Sequence, residues 1–257
     1  MKYIKPIAAL LFLFSSPMVH GQLIKLEAGI GATKFSWIEG ELTADLNVQL
    51  SIQKKQSKRK FFVALKAFGN TQRSLIDRST YTFIEPHNNY SNTLSPNEEL
   101  YSNYRGSEAE VGLMWNQKTS NKPTFYPILS LYSKSLARKI SSNTTHYVEE
   151  EKYSLHGINA GLGIKIPGKV ETFVQGQIFE PILRDITLYG AYIGVPYSSS
   201  NSNNDLGFKG KLGIKKNKIG ALVVYELLNL GAAENKNSKT ILASKVHSIS
   251  ISMLYEF

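Results

Sequence analysis

The sequence predicts an all-β chain, an antiparallel up-and-down transmembrane β-barrel of about ten strands, with eight as the alternative. Three observations lead there. Segments of about ten residues alternate apolar and polar positions along most of the chain, as an inclined membrane strand requires. The connections between those segments are themselves sorted, short and long by turns. Beyond the amino terminus, no apolar run approaches the roughly 18 to 20 residues of a membrane helix. Composition agrees, since 257 residues include 14 Tyr, 12 Phe and 19 Gly, which suit strands and polar loops better than packed helices. The 42% hydrophobic content argues against disorder, and the lack of cysteine excludes disulfide scaffolds and thiol chemistry.

Residues 1–21 read as a secretory signal. Lys2 and Lys5 form the basic head, Ile7 to Phe14 the apolar centre, and Val19, His20 and Gly21 precede the cleavage point. The barrel domain is then 22–257, and removing Lys2 and Lys5 takes the formal charge from +10 to +8.

The first strand sets Ile24, Leu26, Ala28, Ile30 and Ala32 against Lys25, Glu27, Gly29, Gly31 and Thr33. Glu41 to Gln53 is the clearest segment, with Leu42, Ala44, Leu46, Val48, Leu50 and Ile52 alternating with Thr43, Asp45, Asn47, Gln49 and Ser51. Strands of soluble sandwiches cluster near 5 to 6 residues and membrane strands near 9 to 11, so its length favours lipid on the aliphatic face. Phe61, Val63, Leu65 and Ala67 oppose Lys66, and Ala109, Val111, Leu113 and Trp115 oppose Glu108, Glu110 and Gly112. The fifth segment, Thr124 to Ser133, is apolar on both faces, and Pro127, which lacks an N–H, is expected to mark a bulge. The sixth sets His156, Ile158, Ala160, Leu162 and Ile164 against Gly157, Asn159, Gly161, Gly163 and Lys165. Val170 to Phe179 carries Glu171, Gln175 and Gln177 on its polar side; Leu206, Phe208, Leu212 and Ile214 then oppose Lys209, Lys211 and Lys215. Ile219 to Leu228 is ambiguous by period. The last strand alternates Ile249, Ile251, Met253, Tyr255 and Phe257 with Ser248, Ser250, Ser252 and Glu256.

Compact connections are expected at 54–60, 116–123, 167–169 and 216–218, and the others at 37–40, 70–106, 134–151, 180–205 and 229–245, all long except the first. Short turns on one rim and long loops on the other mark an outer-membrane barrel, whose first and last strands must pair because hydrocarbon leaves no open edge satisfied.

The final strand ends on a pattern of polar, small and hydrophobic positions closing on an aromatic, carried by Ser250, Ser252, Tyr255 and Phe257. With that pattern, the signal and the sorted connections, the chain resembles the small outer-membrane β-barrels common in Bacteroidetes, a loose group that includes PorT-like barrels. Ser252 stands where the assembly signal of such barrels usually has glycine. The resemblance implies insertion by the barrel assembly machinery of a Gram-negative cell into outer-membrane lipid and lipopolysaccharide.

The polar faces bring charges inward. Asp45, Lys66, Glu108 and Glu110 lie on three successive strands, and Lys165, Glu171, Lys209, Lys211 and Glu226 on four more, so opposite signs can pair across neighbours. Two readings stand, a salt-bridged plug filling a narrow interior or a porin-like anion path lined by Lys209, Lys211 and Lys215. Hydrolytic chemistry would need His87, His146 or His247 beside Asp77, Glu85, Glu180 or Asp185, and their spacing is uninformative. No metal-ligand spacing, phosphate loop or cofactor motif is evident.

Lys54, Lys55, Lys58, Arg59 and Lys60 crowd one compact turn, where phosphates of the inner leaflet or an acidic partner are the expected company, and nucleic acid is not. Tyr81, Phe83, Tyr90, Tyr101 and Tyr104 stand in the long second loop, and 198–204 forms a polar tip. The expectation is a non-enzymatic scaffold or accessory in surface assembly, secretion or uptake, meeting a protein partner through its long loops; a narrow pore and a loop-based hydrolase are the alternatives.

Overall fold

A computed structural model describes residues 22–36, 40–54, 57–70, 74–75, 99–115, 122–142, 148–190, 193–199, 206–230, 233–234, 240–241 and 244–257. The expected signal, 1–21, lies outside the described residues. Ten long strands form the wall: β1 (Gln22–Ser36), β2 (Gly40–Lys54), β3 (Arg59–Gly69), β4 (Leu100–Trp115), β5 (Thr124–Ser142), β6 (Val148–Ile166), β7 (Glu171–Gly190), β8 (Gly207–Lys216), β9 (Ile219–Leu230) and β10 (Ser244–Glu256). Each pairs antiparallel with the next, and β1 closes on β10 from Glu27↔Glu256 to Ser36↔His247. Short pieces lie at one end: Ser74–Leu75 pairs with β4 and Ile193–Ser199 with β7, while Ala233–Glu234 and Thr240–Ile241 pair with each other in a separate two-stranded sheet. That end is the loop rim. The opposite end, where Gln22 and Phe257 lie, is the terminal rim, and its connections are 55–58, 116–123, 167–170 and 217–218. The last is a two-residue turn with Asn217 at φ 56°, a left-handed conformation that asparagine tolerates better than most residues.

Strand facing follows the period-2 pattern. On β2, Leu42 and Leu46 are 66% and 53% exposed while Asp45 and Ser51 are buried. Ile30, Leu162, Ile251 and Met253 lie equally open on other strands, so the outer surface is apolar around the circumference. A continuous apolar surface of this kind exceeds what a monomer in water exposes, and it is the face a membrane barrel turns to hydrocarbon. The ambiguous β9 resolves with Leu222, Val224, Glu226 and Leu228 inward and Ile219 and Val223 outward.

Two local expectations are corrected. Pairing runs straight through Pro127↔Leu162, and on the other side the ladder to β4 ends at Met114↔Ile128, so no donor is missed at Pro127. The bulge lies instead between β6 and β7, where His156 and Gly157 pair with Leu183 and Pro181; Ile182 is the extra residue, and it and Leu183 both point outward. The expected long connection 134–151 is mostly wall. Pairing of β5 with β6 continues to Ser141↔Val148 and leaves 143–147, because Lys134, Leu136, Arg138 and Ile140 keep facing inward and buried.

Candidate functional site

The lumen is filled in layers. Toward the loop rim, one apolar cluster joins Phe35, Phe68, Tyr104, Tyr132, Leu136, Tyr153, Leu155, Phe179, Leu228 and Val246, drawn from eight of the ten strands. Phe35 and Phe68 rings sit 4.9 Å apart and Phe35 stacks on Tyr104 at 6.0 Å, with Tyr132 edge-on to Phe179 at 4.7 Å. The alternation supplies this layer simply by continuing inward positions past the charged ones.

Below it lies a charged belt of four acids and four lysines: Asp45, Glu108, Glu110 and Glu226 with Lys66, Lys134, Lys209 and Lys211. Lys134 is its hub, with Nζ 2.8 Å from Glu108 Oε1 and also bonded to Glu226 Oε2. Lys209 Nζ stands 3.0 Å from Glu108 Oε2 and 5.1 Å from the Tyr132 ring, tying the belt to the layer above. The Tyr132 hydroxyl donates to Glu226 at 2.8 Å. Glu110 accepts from Ser130 at 2.7 Å and Gln177 at 3.1 Å, with Lys211 at 3.5 Å. Asp45 accepts from Thr33 at 2.6 Å, Asn47 at 2.7 Å and Ser252 at 3.2 Å, with Lys66 at 3.6 Å. Taking such charges out of water is costly unless each is paired and hydrogen-bonded, and here they are.

Beside the belt is a cavity of about 100 Å³, lined on one part by Lys66, Lys209, Lys211, Glu226 and Ser248, Ser250 and Ser252 and on another by Val48, Ala64, Leu222, Val224 and Leu254, and large enough for several waters against its polar part. At the terminal mouth, Lys215 bonds both Glu27 and Glu256, and Lys25 meets Glu256 at 3.1 Å. Lys165 and Glu171 pair there at 2.6 Å, half-exposed and apart from the belt. Seven of the nine charges expected to form one network therefore share the belt, and Lys165 and Glu171 form their own pair. The hub itself was missed, since Lys134 falls where a loop was expected. Its signal was there: Lys134, Leu136, Arg138 and Ile140 continue the parity of Tyr126 and Ile128.

Ser250 and Ser252 are buried inward, whereas Tyr255 and Phe257 point outward with rings 5.0 Å apart, edge to face. His247 faces outward, with Nδ1 2.9 Å from the Tyr225 hydroxyl. Glu180 lies between outward-facing Ile178 and Ile182, and Asp185 is exposed. His87, His146, Asp77 and Glu85 lie outside the described residues, as do Tyr81, Phe83 and Tyr90. Tyr101 donates to Glu99 at 2.5 Å, and Tyr104 belongs to the apolar layer. Among the described residues, no three His, Asp or Glu gather as a metal site.

The fold and its filled lumen define a closed antiparallel β-barrel of the outer-membrane class. Among solved structures, the chain is similar to the outer membrane protease OmpT from Escherichia coli, with TM-score 0.57 and 10% identity over 94% of this chain and 100% of that one. It also matches the translocator domain of the autotransporter NalP from Neisseria meningitidis, with TM-score 0.44 and 11% identity over 99% of this chain and 95% of that one. The attachment invasion locus protein Ail of Yersinia pestis matches at TM-score 0.36 and 9% identity, over 93% of this chain and 100% of that one. At these identities the likeness to the protease is one of fold. No family profile matches the chain, and no curated protein matches it in sequence.

Proposed function

We propose that the chain, exported by its first 21 residues, is an integral outer-membrane barrel acting as a non-enzymatic scaffold or accessory in surface assembly, secretion or uptake. The loop rim faces outward from the cell and meets a partner protein there, while the terminal rim faces the periplasm. A place among PorT-like barrels rests on architecture and on Ser250, Ser252, Tyr255 and Phe257 as an assembly signal.

One observation carries the choice of scaffold over pore. The apolar layer crosses the lumen, with Phe35, Tyr104, Leu136, Leu228 and Val246 all at 2% exposure or less, and an ion path needs a hydrated route. The cavity below it supports a second reading, a gated pore that conducts when the layer moves.

Planar-bilayer recording tests both. The wild-type barrel should show no steady steps, and Phe35→Ala/Phe68→Ala/Tyr104→Ala should gain them. Steady wild-type conductance would sink the scaffold reading. A pull-down from detergent-solubilised outer membranes then identifies the partner.

A further inference from the structure

We propose that the terminal rim is a binding collar for anionic phospholipid headgroups, an inference that rests on the membrane reading above. The charge of this chain is sorted by rim. The terminal-rim connections, 55–58, 116–123, 167–170 and 217–218, hold six lysines and no acid, and Lys54, Arg59 and Lys216 flank them. The loop-rim connections, 37–39, 70–99, 143–147, 191–206 and 231–243, hold four cations and seven acids. A positive balance spread for solubility alone would not separate in this way.

Placement of the side chains points to lipid. Lys54, Arg59, Lys216 and Lys218 are exposed. Lys54 continues the outward row of Leu50 and Ile52 on β2, and Arg59 sits opposite Trp115 and two residues from Phe61 on the outward row of β3. Lys216 lies opposite exposed Ile219, and Lys218 Nζ is 5.9 Å from the Tyr255 ring. Each cation thus stands where the apolar belt ends, with an apolar stem to lay on it and a charged tip at headgroup depth. The acids of this rim are engaged elsewhere: Glu27 and Glu256 bond Lys215, and Glu171 pairs with Lys165, all facing the mouth of the lumen.

The cations also recur on every terminal-rim connection. A protein docked on one flank would need one patch; a lipid annulus surrounds the barrel and meets all four turns. Basic residues near a membrane surface are drawn to anionic headgroups, so the collar makes barrel stability depend on lipid charge.

The test compares barrels refolded in phosphatidylcholine vesicles with and without phosphatidylglycerol, reading the urea midpoint of unfolding. The heat-dependent gel shift in phosphatidylcholine alone reports whether a barrel forms; its absence would defeat the membrane reading and the collar with it. Phosphatidylglycerol should raise the wild-type midpoint. Lys54→Gln/Arg59→Gln/Lys216→Gln/Lys218→Gln should lose most of that rise, and Lys34→Gln/Lys139→Gln/Lys245→Gln, which removes exposed cations near the loop rim, should keep it. Raising ionic strength from about 0.1 M to about 1 M shortens the screening length from about 10 to about 3 Å and should abolish the wild-type rise, an arm that needs no variant to fold. A rise that survives salt or the fourfold change, or that the loop-rim variant loses equally, overturns the collar. So does a fourfold variant that keeps its lipid response but no longer sediments with purified peptidoglycan, which would assign the rim to the cell wall.

Discussion

Lys134→Met removes one charge from the centre of the lumen while keeping the length of the side chain. Lys134, Glu108 and Glu226 have side chains only 2%, 11% and 6% exposed. Without the lysine, Glu108 keeps Lys209 at 3.0 Å and Glu226 keeps the Tyr132 hydroxyl at 2.8 Å, so the unbalanced charge falls on Glu226. Deleting one partner of a buried pair costs about 3–5 kcal/mol, and because Lys209 still neutralises Glu108 the lower end, about 3 kcal/mol, is expected. With a urea slope of about 2 kcal/mol per M, the unfolding midpoint should fall by about 1.5 M. Lys134→Met/Glu226→Gln leaves one acid with one lysine and should recover to within about 1 kcal/mol of wild type. The assay is urea unfolding in vesicles, followed by tryptophan fluorescence and by the heat-dependent gel shift. A loss below about 1 kcal/mol for the single variant would mean that water reaches the belt and screens it. A double variant as weak as the sum of its two single changes would mean that Lys134 and Glu226 are not coupled.

Two further outcomes test facing and packing. Leu46→Arg should impair folding by about 2–4 kcal/mol, because Leu46 faces lipid, while Asn47→Arg should cost less, since Asn47 faces the cavity beside Asp45. Equal membrane yields would refute the assigned faces, and the Leu46→Ser and Asn47→Ser pair removes side-chain crowding from the comparison. Gly163→Val should cost about 1–3 kcal/mol in the same urea assay, because a Cβ there would stand 2.4 Å from the Tyr126 ring, which is buried and holds Gln175 at 2.8 Å. No change in midpoint would show that the ring turns aside freely.

Facing was legible in the sequence because it is local. Successive residues of a strand point to opposite sides, so Leu42 through Ile52 declare an aliphatic face without knowledge of any neighbour. Where that alternation is strong, the inward residues read from the sequence are the inward residues of the barrel: Asp45, Lys66, Glu108, Glu110, Lys209 and Lys211. It failed where both faces carry the same kind of residue. On β9 inward Leu222 and outward Val223 differ only in what the adjacent strands offer them, and past Ser133 the mixture of serine, leucine and lysine reads as loop.

Tertiary structure decided what depends on pairs. The bulge at His156 and Gly157 is a property of the β6–β7 register, so Pro127 misled as a local marker. Lys134 becomes the hub because Glu108 lies opposite it on β4 while Glu226 reaches it from the far wall, 92 residues on in the chain. Whether the lumen is open also belongs to closure, since ten inward apolar side chains from eight strands form a layer only once β10 meets β1. Period and position along the chain were enough for the faces of the wall, the order of compact and long connections and the basic turn after β2. Register, the partners of each buried charge and the plugging of the interior had to wait for the closed sheet, because side chains far apart in sequence meet only when the barrel fixes their height and angle around one axis.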